Sequence, residues 1–303
     1  MISPVRRITA LGVLGVVGAA LAACGTPHAS TRIVNATASP SASSSSRPPT
    51  LAPGPAGLTP VFEHGPRTRT DKTVALTFDA DMTADQGERA AAGERFDNPE
   101  LIAALRQLKV PATVFMTGRW VEEYPIQARS IGRDPQFEVA NHSYSHHAFT
   151  EDCHGLPTMA PGRMRADLER AYRVFRAAGV TDPMPYFRFP GGCYDSRALR
   201  QLSASGVTAV QWDVVSGDAF ATDPDEVVRR VLEGVRPGSV VVMHCTRSAA
   251  PVTERAVRKI VPALRERGFR FVKVSELVGT MATAAVATEA AATATAAMAD
   301  AAP

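Results

Sequence analysis

The sequence has little cysteine and, over most of its length, no net charge. Four of its 303 residues are cysteine, and no two have the Cys-x-x-Cys spacing, which excludes zinc ribbons and thioredoxin-like redox motifs. The formal net charge is +3, yet residues 71–279 carry 27 basic and 27 acidic side chains. A domain that binds nucleic acid needs a basic face. The neutral central region therefore argues against a nucleic-acid partner.

The apolar run near the N-terminus is too short for a membrane span. It covers residues 8–23 and follows Arg6 and Arg7, whereas a span needs about 20 residues; the pattern is typical of an export signal. The run ends in Leu21-Ala22-Ala23-Cys24, which resembles the cleavage and lipidation box of bacterial lipoproteins. We expect residues 1–23 to be a lipoprotein signal peptide, Cys24 to carry the lipid, and the protein to be extracytoplasmic and anchored to the cell membrane. An ordinary signal peptide cut nearby is the alternative.

Two segments have compositions unsuited to a packed core. Residues 24–70 are rich in Ser, Pro, Ala and Thr and cannot bury enough apolar surface to offset the entropy lost on ordering, so we expect a disordered tether. Residues 280–303 are nearly all Ala and Thr and offer no periodic face for docking, so we expect a disordered or frayed tail. Residues 71–279 remain as a single folded domain.

The central region alternates strand-like and helix-like patterns. Repeated strand–helix units predict an α/β fold with a parallel sheet and helices outside it, either a barrel or an open sheet. Asn98-Pro99-Glu100 and Asp223-Pro224 indicate helix starts. Seven strands, which favour a barrel, are predicted at Thr73–Phe78, Ala112–Met116, Phe137–Ala140, Tyr186–Phe189, Val207–Val215, Ser239–His244 and Phe269–Val272.

Candidate metal ligands follow two of these strands. His142 and His146 come after Phe137–Ala140, and a tight loop would aim both rings at one point; a surface loop with spare histidines fits about as well. Asp79 and Asp81 follow the first strand, where carboxylates are costly unless paired or bound to metal. One acid would complete a His-His-Asp metal site and the other would accept a proton from water. Solvated loop acids or helix caps are the alternative.

Two further strand ends carry notable residues. Arg188 lies in an aromatic run and needs an acidic partner if buried, for which Asp79 or Asp81 would serve. Gly191-Gly192 lets the backbone approach a ligand closely. His244 ends an apolar strand, where a lone histidine is more often a satisfied core residue than a functional one.

Together these residues resemble the motifs of the polysaccharide deacetylases with a NodB-type domain, carbohydrate esterase family 4. Five motifs occur in the family's order across residues 71–279. They are Thr77-Phe78-Asp79-Ala80-Asp81, His142-Ser143-Tyr144-Ser145-His146, Arg188-Phe189-Pro190-Gly191-Gly192, Trp212-Asp213-Val214-Val215-Ser216-Gly217-Asp218 and Met243-His244. The resemblance implies a distorted (β/α) barrel of about seven parallel strands that forms one catalytic domain.

The resemblance also implies a metal-dependent deacetylation. Asp81, His142 and His146 would hold one divalent metal ion, with zinc favoured and cobalt, nickel or manganese as alternatives. Asp79 would be the general base and Arg188 would orient it.

The same resemblance assigns two groups to the reacting acetyl group. His244 would protonate the departing amine. A backbone N–H at Gly191 would stabilise the negative charge that develops on the carbonyl oxygen.

The first motif departs from the family pattern, because Ala80 separates two acids that are usually adjacent. We expect the loop to bulge so that Asp81 reaches the metal. An exchange of roles between Asp79 and Asp81 is the alternative.

The fourth motif departs as well. Val215 stands where the family has an aspartate that supports the catalytic histidine, and Ala219 stands where it has a tryptophan. Asp213, two residues earlier on the same strand face, is our preferred support for His244. Asp218 is the other candidate.

Three cysteines follow motifs and should lie at the same end of the barrel. Cys153 follows the second motif, Cys193 the third and Cys245 the fifth. An oxidising compartment favours one disulfide, and of the three pairings we favour Cys153–Cys193. Three reduced thiols are the alternative.

The resemblance and the export signal predict a hydrolase that removes N-acetyl groups from an amino-sugar polysaccharide of the cell envelope, with peptidoglycan preferred from location alone. Chitin oligosaccharides and O-acetyl groups are alternative substrates. A cyclic amide hydrolase on a related fold and a sugar-binding lipoprotein without activity are the rival interpretations. The expected partners are the polysaccharide and the membrane.

Overall fold

The computed structural model describes residues 47–68 and 70–300, with side chains described as far as residue 288. The expected signal peptide, Cys24, residues 25–46 of the expected tether and the last three residues lie outside the described part of the chain. Of the helices in the described part, none combines the length and the apolar composition that crossing a membrane requires.

The strands form one curled parallel sheet, which confirms the predicted (β/α) barrel class. Neighbouring strands run in the order β1-β6-β5-β4-β3-β2-β8-β7, and β9 pairs with the start of β2. The strands are β1 Val61–Phe62, β2 Thr73–Ala80, β3 Ala112–Met116, β4 Phe137–Asn141, β5 Tyr186–Phe187, β6 Thr208–Val210, β7 Val214–Val215, β8 Ser239–His244 and β9 Arg270–Phe271.

The strand predicted over residues 207–215 is two strands in the structure. It bends at residues 211–213, so that β6 pairs with β5 and β1 while β7 pairs with β8 at the other end of the sheet order. The N–H of Gln211 donates to the carbonyl of Phe62, and the N–H of Asp213 donates to that of Val240. The bend therefore connects the two ends of the curled sheet.

Part of the segment expected to be a disordered tether belongs to the folded domain. Phe62 is buried in β1, Leu51 N donates to Thr208 Oγ1 over 3.0 Å, and the hydroxyl of Tyr186 donates to the carbonyl of Pro49 over 2.8 Å. The expectation of disorder is therefore wrong for residues 49–67. The average composition of the segment does not predict this order, because the two apolar residues of β1, Val61 and Phe62, and the free edge of β6 are enough to anchor a short strand.

Helices follow most of the strands. Both predicted helix starts are found: Asn98 Oδ1 accepts the N–H of Leu101 over 3.1 Å, and the side chain of Asp223 accepts the N–H of Asp225. The helices are α1 Gln86–Ala91, α2 Pro99–Gln107, α3 Gly118–Glu123, α4 Pro125–Gly132, α5 Met164–Ala178, α6 Ser196–Leu202, α7 Pro224–Gly234, α8 Thr253–Glu266 and α9 Val274–Asp300.

The expected disordered tail is helical as far as Asp300. α9 continues without a break from Val274, although most of its residues from 280 to 288 are exposed. Alanine has the highest helix propensity, so the helix persists beyond the part that packs on the domain.

The core has one layer inside the barrel and another between the sheet and the helices. Val74, Leu76 and Phe78 of β2 pack in the outer layer, whereas Ala75 packs inside. The first turns of α9 add Val274, Leu277 and Val278 to the inner layer. These turns cover the end of the barrel where the strands begin, and the carboxyl ends of the strands remain for a site.

Candidate active site

The two acids of the first motif lie on one face of β2 and its continuation. The parallel pairing of β2 with β3 stays in register through Ala80, which is opposite Met116. Side chains two residues apart point to the same side of a strand, so Asp79 and Asp81 face the same way. The expected bulge is wrong, because the regular alternation already directs Asp81 to the site.

The loop after β4 is shaped by its own polar side chains. Ser143 N donates to Asn141 Oδ1 over 2.8 Å, and Ser143 Oγ accepts the N–H of His146 over 2.9 Å. Ser143 and His146 both have left-handed backbones, with φ of 72° and 58°. Tyr144 N donates to the buried carboxylate of Asp167 over 2.7 Å. These bonds offset the backbone strain and turn the second histidine back towards the first.

The structure brings the four predicted acids and histidines together. His146 Nε2 lies 3.4 Å from Asp81 Oδ2, and His142 Nε2 lies 3.8 Å from Asp79 Oδ2. The two imidazole rings are 5.0 Å apart. Burial lowers the pKa of His146 to about 4, against the opposing charge of Asp81. At neutral pH this ring is uncharged, which is the form that binds metals.

The donor set fits a divalent metal. His142 Nδ1 lies 2.9 Å from the carbonyl oxygen of Arg188, and since a carbonyl only accepts, Nδ1 carries the proton. The lone pair of His142 is then on Nε2, the atom that faces the acids. Histidine ligands of metals are commonly fixed in this way by a bond from the other ring nitrogen. Two imidazoles and a carboxylate suit zinc and its neighbours.

Arg188 is fully buried and pairs with Asp79. Its Nη1 is 2.7 Å from Asp79 Oδ1, and Nε and Nη2 donate to the carbonyls of Val210 and Gln211. The guanidinium also lies 3.9 Å from the centre of the Phe115 ring. Of the two acids that the sequence offered as partners, the structure selects Asp79.

Asp218, rather than Asp213, supports His244. Asp218 Oδ1 lies 2.9 Å from His244 Nδ1, and Oδ2 accepts the backbone N–H of the same histidine over 2.8 Å. Ser216 Oγ and Thr253 Oγ1 donate to the two carboxylate oxygens over 2.9 and 2.6 Å. Burial would lower the pKa of His244, but the charge and hydrogen bond of Asp218 outweigh it and raise the pKa to about 10.

The prediction for Asp213 is wrong because this carboxylate has other partners near the start of β8. It accepts hydrogen bonds from Arg67 Nη2 over 2.7 Å, Ser239 Oγ over 2.8 Å and Val240 N over 2.7 Å. His244 is at the opposite end of the same strand. Asp213 therefore holds the bend between β6 and β7 rather than His244.

Thr246 is a site residue that the sequence did not reveal. Its hydroxyl donates a short hydrogen bond to Asp81 Oδ1, and its oxygen also accepts the N–H of Asp81 over 3.4 Å. A threonine two residues after a strand carries no distinctive signal, so only the structure finds it. The bond holds Asp81 with its other oxygen towards His146.

The third motif ends in a tight turn, Pro190–Gly192, that carries Gly191 at the surface. The favoured disulfide, Cys153–Cys193, is present, with the two Cα atoms 5.9 Å apart. Cys245 is free and buried in the layer between the sheet and the helices.

Two apolar side chains in and directly after the fourth motif are exposed. Phe220 is 85% exposed and Val215 is 60% exposed. The backbone of Phe220 is left-handed, with φ of 61°, and its N–H donates to the carbonyl of Ala249 over 2.7 Å. A bulky residue in this conformation is uncommon. The loop therefore holds an aromatic ring in solvent two residues after Asp218.

Comparisons with known proteins agree with this fold. A family model described as Polysaccharide deacetylase matches residues 66–210. A chitooligosaccharide deacetylase of Sinorhizobium fredii is 30% identical over 185 residues, which cover 56% of this chain and 80% of the relative. A peptidoglycan-N-acetylglucosamine deacetylase of Bacillus cereus is 26% identical over 212 residues, which cover 69% and 89%.

A solved structure gives the same result. A mutant of a carbohydrate esterase family 4 pseudoenzyme from Bacillus anthracis, with restored enzymatic activity, superposes with a TM-score of 0.60 at 26% identity. The match covers 76% of this chain and 73% of that one. The architecture is that of the family 4 carbohydrate esterases. The chain belongs to the polysaccharide deacetylase family.

Proposed function

We propose that this protein is a metal-dependent hydrolase that removes N-acetyl groups from an amino-sugar polysaccharide. The observation that carries the proposal is the order of side chains along the strand ends. Asp79 on β2 lies between His142, after β4, and His244, on the adjacent strand β8. The Asp79–Arg188 and Asp218–His244 pairs therefore lie beside the proposed metal ligands.

Asp81, His142 and His146 would hold the metal ion. When bound, a divalent ion at this site would polarise the acetyl carbonyl and make a water molecule more acidic. Zinc is the favoured ion from the two imidazoles and one carboxylate, and cobalt, nickel and manganese are alternatives. A cobalt ion is present in a family 4 acetyl xylan esterase of Clostridium thermocellum with a similar fold.

Asp79 acts as the general base in this proposal. One of its oxygens bonds to Arg188 and the other faces His142, so the carboxylate is fixed and has an oxygen directed at the ligand set. It accepts the proton of the attacking water. These contacts support Asp79 as base and Asp81 as ligand, since Asp81 is instead bonded to Thr246 and faces His146.

His244 acts as the general acid. Its side chain is 26% exposed, so a substrate can reach Nε2 while Nδ1 stays bonded to the buried Asp218. With a pKa of about 10 the ring is protonated at neutral pH and can donate to the departing amine. A backbone N–H of the turn at Gly191 would stabilise the oxygen of the tetrahedral intermediate.

Peptidoglycan is the proposed substrate, and chitin oligosaccharides and O-acetylated sugars are the alternatives. Relatives that act on peptidoglycan N-acetylglucosamine and on chitooligosaccharide have comparable similarity to this chain. The export signal supports the envelope polymer. A sugar-binding protein without activity is the second candidate, because the structural relative from Bacillus anthracis is a pseudoenzyme.

Acetate release distinguishes these candidates. The purified protein is incubated with peptidoglycan, chitin oligomers and acetylated xylan, each with and without a chelator, and acetate is measured. We expect release from peptidoglycan that the chelator stops and added zinc restores. Release from none of the substrates by the zinc-loaded protein, together with binding to one of them, would favour the inactive sugar-binding protein.

We also propose that the protein is exported and held at the membrane by a lipid on Cys24. The box Leu21-Ala22-Ala23-Cys24 supports this. Cys24→Ser should release the protein from the membrane fraction or leave its signal uncut. Full membrane retention with normal signal cleavage would contradict lipidation.

A further inference from the structure

The turn Pro190–Gly192 is packed between a disulfide and an indole ring. A Cβ atom placed on Gly191 would lie 2.5 Å from Cys153 Sγ, and one placed on Gly192 would lie 2.5 Å from the ring of Trp212. Both glycines have left-handed backbones, with φ of 63° and 74°. Each neighbour therefore occupies the space that a side chain would need.

A buried glutamine fixes the same turn. Gln211 is 6% exposed, and its Nε2 donates to the carbonyl of Gly192 over 2.7 Å. Its backbone carbonyl accepts from Arg188 Nη2, and its backbone N–H donates to Phe62 in β1. One residue thus connects the turn with the arginine that holds Asp79 and with the edge of the sheet.

The disulfide supplies the third attachment. It joins Cys153, on the long loop that also carries His142 and His146, to Cys193, directly after the turn. Cys153 is 3% exposed, whereas Gly191 is exposed to solvent. The support is therefore buried, and the backbone that it supports is accessible to a substrate.

We propose that Gln211 and the Cys153–Cys193 disulfide are positioning residues that hold the Gly191 backbone in place for the reaction. Two successive glycines in left-handed conformations form the most flexible kind of backbone. A donor to a developing oxyanion is effective only when it is fixed beforehand, and a displacement of about 1 Å costs on the order of 100-fold in rate. The inference rests on the proposed deacetylase function.

Two variants test the proposal. Gln211→Met keeps the volume of the side chain and removes the amide donor, and the double variant Cys153→Ser, Cys193→Ser removes the bridge. We expect kcat on the acetylated substrate to fall about 10- to 100-fold in each, with little change in KM and with one equivalent of zinc retained. A loss of stability alone would not lower kcat while leaving KM and the zinc content unchanged.

Gln136→Met is the matched control. Gln136 Nε2 also donates to backbone carbonyls, those of Leu105 and Val110, over 2.9 and 2.8 Å, but this loop lies where β4 begins. The control should lower thermal stability and leave kcat unchanged. An equal fall of kcat in the control and in Gln211→Met would overturn the positioning role, and so would unchanged kcat in both test variants.

Amide hydrogen exchange of residues 186–195, measured by mass spectrometry, gives a readout that does not depend on activity. Both test variants should exchange faster than the parent in this peptide, and the control should not. If the parent protein releases no acetate from any substrate, faster exchange in both variants would still show that Gln211 and the disulfide hold the turn, so a failure of the proposed function remains distinguishable. Unchanged exchange in both variants would show that neither Gln211 nor the disulfide holds the turn, and would overturn the proposal.

Discussion

Asp218 binds His244 twice, through the ring Nδ1 and through the backbone N–H. The same carboxylate therefore fixes the orientation of the ring and the strand end that carries it. It also raises the pKa of the imidazole to about 10 despite burial.

Replacement of Asp218 by Asn should change the pH dependence of turnover. Without the negative charge the pKa of His244 falls, so the ring loses its proton at lower pH. Because the general acid must be protonated, the basic limb of the kcat profile should move to lower pH, and kcat at its optimum should fall about 10²- to 10⁴-fold. The profile is measured by acetate release in the zinc-loaded enzyme.

Asp213→Asn is the control for this variant. Asp213 bonds to Arg67, Ser239 and Val240, so its loss should lower stability and leave the basic limb where it is. The assignment of Asp218 would fail if the limb moved in Asp213→Asn and not in Asp218→Asn.

Replacement of His142 by Ala should lower the bound metal below one equivalent. This ring presents Nε2 to the acids because Nδ1 is bonded to the carbonyl of Arg188. The variant should also lose turnover. Metal content is measured by elemental analysis after dialysis against a trace of zinc.

His147→Ala provides the comparison, since His147 lies in the same loop after β4 and directly follows the proposed ligand His146. The His147 ring is only partly buried, and the His147→Ala variant should keep a full equivalent of metal. Full metal and full rate in His142→Ala would exclude this metal site.

Replacement of Arg188 by Lys should destabilise the domain although the charge is kept. Lysine cannot reproduce the fork of guanidinium N–H groups that donates to Asp79 and to two backbone carbonyls. Each buried acceptor left without a donor costs about 1–3 kcal/mol. We expect the free energy of unfolding in urea to fall by at least that amount, together with kcat.

Arg67→Lys tests the same exchange at a more exposed ion pair. Arg67 also lies 2.7 Å from an aspartate, but its side chain is 37% exposed, and such pairs contribute about 0–1 kcal/mol. An equal loss of stability in both variants would argue against a special role for burial at Arg188.

Replacement of Phe220 by Ala should weaken the binding of the sugar chain. The ring is 85% exposed on a left-handed backbone beside the site, where it can stack on the apolar face of a sugar. A contact of about 0.5–1.5 kcal/mol corresponds to a rise in KM of about 2- to 13-fold, with kcat little changed. KM is measured on oligosaccharides of increasing length.

Ile126→Ala is the matched control, because Ile126 is 82% exposed on α4, outside the fourth motif. It should leave KM unchanged for every length. A rise in KM in both variants would point to a general loss of surface apolarity rather than to a sugar contact.

The long buried strands and their terminal residues were predictable from the sequence. β2, β3, β4 and β8 are mostly apolar, and a polar residue that follows such a run lies at the end of the strand. For this reason Asp79, His142 and His244 could be placed without coordinates. The alternation of side chains along a strand also predicts that Asp79 and Asp81 share a face without a bulge. The family pattern of adjacent acids led instead to the expectation of a bulge.

Two of the four two-residue strands were not predictable as separate elements. β1 and β7 have two residues each, too few for a periodic pattern. The rule that residues two apart share a face of a strand favoured Asp213. The chain, however, leaves β7 after Val215 and turns, and this turn brings the carboxylate of Asp218 to His244. Thr246 was missed because its partner, Asp81, is 165 positions away in the sequence.

The alternation along β2 has a consequence for substitution at position 80 of the first motif. Ala80 is fully buried in the layer between the sheet and the helices, on the face opposite to both acids. An aspartate introduced at position 80 would put an unpaired charge in that apolar layer, so the form with adjacent acids cannot be reached by this substitution alone. Replacement of Ala80 by Asp is therefore expected to destabilise the domain rather than to add an acid to the site.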